Sequence, residues 1–102
     1  MVISAIKSGG FAGVTKDLGT LDTACLKKAD RLTIEYLVNE SGFFRQQADF
    51  VGEIGADFFH ITITIRDNDR QHSITFADSD HPESKQMREI LKFFIKHVKT
   101  KD

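Results

Sequence analysis

"FFHITITIRDNDRQHSITFA", residues Phe58 to Ala77, decides the fold. Phe59, Ile61, Ile63 and Ile65 alternate with His60, Thr62, Thr64 and Arg66, which is the period of two expected of a strand with one buried face. QHSITFA alternates in the same way. If Asn68 and Asp69 form a two-residue loop, Ile65 faces His72, Ile63 faces Ile74 and Ile61 faces Phe76. A slip of one residue would set apolar side chains opposite polar ones, so the pattern itself fixes the register. The threonine-rich face is then solvated, as in an antiparallel sheet covered on one side.

Outward from this hairpin, HPESKQMREILKFFIKHV reads as a helix. Asp80 and Glu83 have capping-box spacing, and Pro82, the one proline, stands in the first turn, where its missing N–H costs nothing. Met87, Ile90, Leu91, Phe94 and Val98 form an apolar stripe, widened at its edges by Phe93 and Ile95. A first helix is expected from about Leu26 to Ser41, with Ala29, Leu32, Thr33, Tyr36 and Leu37 facing inward and Gly42 as a left-handed cap. Ile34 and Val38 fall off that stripe and are expected at the surface. The helix start breaks two rules: Lys27 and Lys28 lie at the positive end of the helix dipole, and Cys25 is a poor cap. The segment Arg45 to Gly55 links helix to strand, with Phe50, Val51 and Ile54 tucked against the body.

MVISAIK and VTKDL at the front read as two shorter strands. The expected fold is therefore α+β: a two-layer sandwich with a four-stranded, largely antiparallel sheet and two helices on its apolar face, in the order β-β-α-β-β-α. At 102 residues the chain makes a single domain, 1–102. Strand order is not fixed by these arguments.

The run joining the first two strands, SGGFAGVTK (Ser8 to Lys16), invites a phosphate-loop reading, which fails. Lys16 follows Thr15 rather than glycine, and a strand follows where the anion-binding helix should begin. Gly9, Gly10 and Gly13 also miss the dinucleotide spacing. The glycines instead supply positive φ angles to a hairpin loop, from which Phe11 either plugs one end of the core or projects as an anchor for another protein.

No catalytic equipment stands out, so a non-enzymatic binding domain is expected. The four histidines, His60, His72, His81 and His97, lack second ligands at metal spacing. RDNDR has neither the glycine nor the terminal glutamate of a calcium loop. Cys25 beside Lys27 and Lys28 has no histidine placed near it by local argument, so a packed thiol is the simpler reading. No cofactor or metal is expected. A net charge of -1 with scattered cations argues against nucleic acid. The short apolar runs argue against a membrane span. One cysteine and no leader-like start suit the cytoplasm, and a monomer is expected.

SGGFAGV after a short strand resembles the hallmark of the emfourin-like proteins, small bacterial inhibitors associated with protealysin-like metalloproteases of the thermolysin family. DTACLKKADRLTIEYLVNESGFF is similar to that family's Asp-Thr lead-in, helix and closing Phe pair. FFHITITIRDNDRQHSITFAD is similar to its threonine-rich hairpin, and HPESKQMREILKFF to its terminal helix. The likeness spans nearly the whole chain, and only the loop motif is specific. It implies tight, reversible occlusion of a protease cleft, with Gly9, Gly10, Phe11, Ala12 and Gly13 as a narrow tip suited to entering it. Leu26, with Lys27 beside it, is a second contact candidate, or else a hydrophobic staple onto the helix. Family members often carry an apolar residue, proline and acids there. This chain has lysines, which puts the electrostatic part of such a contact in doubt. The alternative is a binding module with another partner, of antitoxin, immunity or chaperone type.

Overall fold

The computed structural model describes residues 1–9, 14–46, 59–77 and 85–98. Strands β1 (Val2–Gly9) and β2 (Val14–Asp22) precede helix α1 (Lys28–Ser41). Strands β3 (Phe59–Asp67) and β4 (Arg70–Ala77) precede helix α2 (Lys85–His97). Short 3-10 turns at Thr23–Cys25 and Phe43–Arg45 bracket α1. The sheet runs β2-β1-β3-β4, with every neighbouring pair antiparallel. The expected α+β sandwich is therefore the fold, and the strand order left open by the sequence places β2 and β4 at the edges.

The β3–β4 register follows the hydrophobic pattern. Ile65 pairs with His72, Ile63 with Ile74 and Ile61 with Phe76. Asn68 takes a φ of 57° in the two-residue turn, a left-handed conformation that asparagine tolerates better than most residues. Arg70 closes the turn with an ion pair to Asp67 at 3.1 Å. On the outer face Thr62 and Thr75 hydroxyls meet at 2.8 Å, and Thr64 and Ser73 at 2.7 Å. The face expected to be solvated is half-buried and satisfies its hydroxyls across the strands.

Ile3 and Ala5 of β1 and Leu21 of β2 join the β3–β4 isoleucines in the core beneath the helices. From α2 come Met87, Ile90, Leu91 and Phe94, with Val98 just past its end, all buried, as the stripe predicts. Phe93 lies half-buried, stacked on His97 at 4.0 Å, while Ile95 is exposed. The proposed cap at Asp80, Pro82 and Glu83 lies outside the described residues. So do His81 and the linker residues Phe50, Val51 and Ile54.

Helix α1 corrects the sequence reading of its face. Ile34 and Val38 are buried, whereas Ala29, Leu32, Thr33 and Tyr36 are exposed; of the expected inward residues only Leu37 packs against the core. Two stripes at helical spacing lie on opposite sides of this helix, and both carry apolar side chains. The ends decide the phase. Gly42 adopts φ 63° and turns the chain so that Phe43 is buried against His72 of β4. At the other end Asp30 reaches His97 of α2 at 3.6 Å. Ser41 is also buried, its hydroxyl donating to the Val38 carbonyl at 2.8 Å. The helix begins at Lys28 rather than Leu26, with Lys27 as an N-cap that makes no side-chain hydrogen bond. Asp22 caps the preceding 3-10 turn instead, accepting from the Ala24 N–H at 3.0 Å.

The helices are antiparallel. Gln86 near the start of α2 donates to the Glu40 carbonyl near the end of α1, and His97 meets Asp30 at the opposite ends. Helix α1 lies at the end of the sheet that holds Met1 and the Asn68 turn, because Glu35, Val38 and Asn39 share a groove with Met1, Asp67 and Arg70.

Candidate functional site at the ends of the first hairpin

The β1–β2 pairing persists to its last rung, Gly9 opposite Val14. Gly9 has φ 98°, a conformation open to glycine and strained for other residues, as expected of the glycine that opens the loop. Residues Gly10, Phe11, Ala12 and Gly13, and with them the question of whether Phe11 plugs or projects, lie outside the described residues. Their base is a ladder with β3 on its other side, where Gly9 pairs with Phe59. Phe59 has the core-facing parity of Ile61 and Ile63 but is 42% exposed, and the Lys7 ammonium lies over its ring at 4.6 Å.

Ile95 of α2 is also exposed. It lies about 160° around α2 from His97, at 100° per residue. His97 faces α1, so Ile95 is on the flank of α2 turned away from α1. Phe59, opposite Gly9 across the β1–β3 ladder, is an exposed apolar side chain at the loop base. Sequence reading did not single out Phe59. Its signal was available: it is the first core-parity residue of β3, where the alternating pattern begins.

Leu26 and Lys27 sit elsewhere. Thr23, just after β2, donates its backbone N–H to the Met1 carbonyl at 2.9 Å, so the α1 entrance is at the Met1 end of the hairpin. Seven strand steps separate Val2 from Gly9, roughly 23 Å. The fold therefore does not bring the loop base and the helix entrance to one side. Leu26 is half-buried against the core and ends the 3-10 turn, its N–H bonded to the Thr23 carbonyl at 3.1 Å; Lys27 is exposed.

The rigidity of the hairpin has a specific source. Ala5 pairs with Gly19 and Ile6 with Asp17, so Leu18 is an extra residue in β2. Gly19 takes φ 111° in this bulge and donates its N–H to the Asp17 carboxylate at 2.9 Å. The space a β-carbon would fill is taken by Val98, at the end of α2.

Among the described residues no three metal-ligating side chains converge. Cys25 is exposed in the 3-10 turn. His72, half-buried on the edge strand β4, has its Nε2 2.9 Å from the Gln46 carbonyl oxygen. A groove of about 350 Å³ is lined by Val38, Phe43, Phe44, Arg45 and Arg70, with the Arg70 guanidinium stacked 4.1 Å over Phe44. No described helix is long and apolar enough to cross a membrane.

The family model for Emfourin matches residues 6–93 of this sequence. The chain belongs to the emfourin family. The match begins in β1, passes through the glycine-rich loop and ends within α2, so every element described above lies wholly or partly within the emfourin region. Membership brings a protease-inhibitor-like role, in keeping with a domain that works by binding. Neither the comparison with curated proteins nor that with solved structures gave a match.

Proposed function

We propose that this emfourin domain inhibits a bacterial thermolysin-like, protealysin-like zinc metalloprotease by tight, reversible occlusion of its active-site cleft. The observation that carries the reading is the family match over residues 6–93, which contains the whole SGGFAG loop. The geometry supports it. The glycine-rich segment springs from a hairpin paired up to Gly9 and Val14, so its base is held in place, which lowers the ordering cost of insertion. The inhibitory surface comprises Gly9 to Gly13, with Phe11 as the apolar anchor and Phe59 at the loop base. A stable inhibitor interface buries about 1,600 Å² in total, more than a four-residue tip provides, so Phe59 belongs to the contact. Leu26 and Lys27, at the far end of the hairpin, form a second and separate contact or none. The inhibitor functions in the cytoplasm as the binding partner of the protease and takes no part in chemistry.

The test is steady-state inhibition of a protealysin-like protease at several concentrations of a fluorogenic peptide. Occlusion of the cleft makes the apparent inhibition constant rise in proportion to substrate. Inhibition that is independent of substrate concentration places the contact outside the cleft, and absence of inhibition leaves a binding module with a different partner.

A further inference from the structure

Helix α1 carries apolar side chains on two faces, and the core uses one of them. On the outer face Leu32 is 53% exposed and Tyr36 63% exposed, four residues apart. The exposed residues Lys28 and Glu40 continue the same interval on either side. Lys28, Leu32, Tyr36 and Glu40 therefore form one i±4n ridge, about 18 Å long along the helix axis. The adjacent row begins with Ala29 and Thr33, both short, and the Thr33 hydroxyl is already donated to the Ala29 carbonyl at 3.0 Å. The ridge thus stands beside a shallow groove with no unmet hydrogen bond at Thr33.

Read along the helix, the ridge is cation, leucine, tyrosine, anion. Turned end for end, it is its own complement. We propose that this face of α1 pairs with the same face of a second copy of the chain, antiparallel, with Leu32 and Tyr36 interdigitated at the centre and Lys28 beside Glu40 of the second copy at each end. The packing of i±4n ridges supplies the geometry: at a crossing of about −50° the two ridges run alongside one another, so the terminal charges meet. A two-fold axis relates the copies and the contact is isologous. The parallel arrangement sets lysine against lysine and glutamate against glutamate, so charge selects the antiparallel one.

One ridge on each side covers less area than the roughly 1,200–2,000 Å² of a stable complex. The association is accordingly weak, with a dissociation constant on the order of 10⁻⁴ M. The ridge points away from the sheet, and the Gly9 end of the hairpin lies at the other end of the strands from α1, so pairing leaves both loop ends free. The proposal does not depend on the identity of the protease.

Sedimentation velocity of the full chain from about 10 µM to 1 mM, spanning the expected dissociation constant, tests it. The weight-average coefficient of the wild type rises with concentration toward that of a dimer. Lys28→Glu and Glu40→Lys each hold the chain at the monomer value. An equimolar mixture of these two variants associates again, because both end contacts are restored between unlike copies. Leu32→Asn abolishes association. The mixture also controls for folding, since it contains the same two proteins, and thermal melts of each variant confirm it. A wild type that stays monomeric throughout overturns the proposal, as do single charge variants that still self-associate or a mixture that does not. A monomeric wild type whose inhibition weakens on Leu32→Asn overturns it too, and assigns the face to the protease contact.

Discussion

Gly19 of β2 lies against Val98, the residue that follows helix α2, with no room between them for a side chain on Gly19. A β-carbon built on Gly19 would lie 2.9 Å from Val98 Cγ2, and Gly19 has φ 111°. Two independent constraints, a left-handed backbone and a close approach, converge on one position in the bulge. The hairpin that carries the loop packs there against the residue that follows α2.

Gly19→Ala therefore destabilises the fold. Backbone strain at a disfavoured φ costs about 1–3 kcal/mol, and displacement of Val98 adds to it. Thermal unfolding followed by circular dichroism should show a melting temperature lower by several degrees. Inhibition measured well below that temperature should be intact, because Gly19 lies in the body of the hairpin and not at its tip.

The phase of α1 is tested by a pair of truncations. Ile34→Ala removes a fully buried side chain and should cost about 2–5 kcal/mol in denaturant unfolding. Leu32→Ala, on the outer face, should change stability by no more than about 0.5 kcal/mol. Equal costs at the two positions would contradict the observed packing.

Leu26 and Phe11 should separate stability from binding. Leu26 is half-buried against the core, so Leu26→Ala should lower stability by about 1–2 kcal/mol, short of the full core penalty. Phe11→Ala should weaken inhibition at least tenfold, as loss of an anchor residue does, with the melting temperature nearly unchanged. A large stability loss on Phe11→Ala would make Phe11 a core residue and remove the anchor.

The hairpin Phe59–Ala77 was legible because its signal is local: period two on both strands and a loop of two residues leave one register that pairs apolar with apolar. The α2 stripe was legible for a similar reason, with a single apolar face and a cationic opposite face. Helix α1 was not, because Ala29, Leu32 and Tyr36 and the set Ile34, Leu37 and Val38 both satisfy helical spacing. The choice between them depends on tertiary restraints, namely the Gly42 turn that seats Phe43 and the approach of Asp30 to His97. Strand order was illegible because antiparallel strands of similar pattern are interchangeable until non-local pairs such as Ile3 with Ile65 are known. At the candidate site the sequence identified the loop by its glycines. It did not place Leu26 at the other end of the hairpin, since that separation follows from strand direction and pairing alone.

The most direct test of the account is titration of a protealysin-like metalloprotease with this protein, following cleavage of a quenched fluorescent peptide and then measuring the intact mass of the added chain. Loss of activity in proportion to added protein, complete near one equivalent and with the mass unchanged, is the predicted result. Undiminished activity of several such proteases in the presence of excess protein, or cleavage of the chain with recovery of activity, would contradict it.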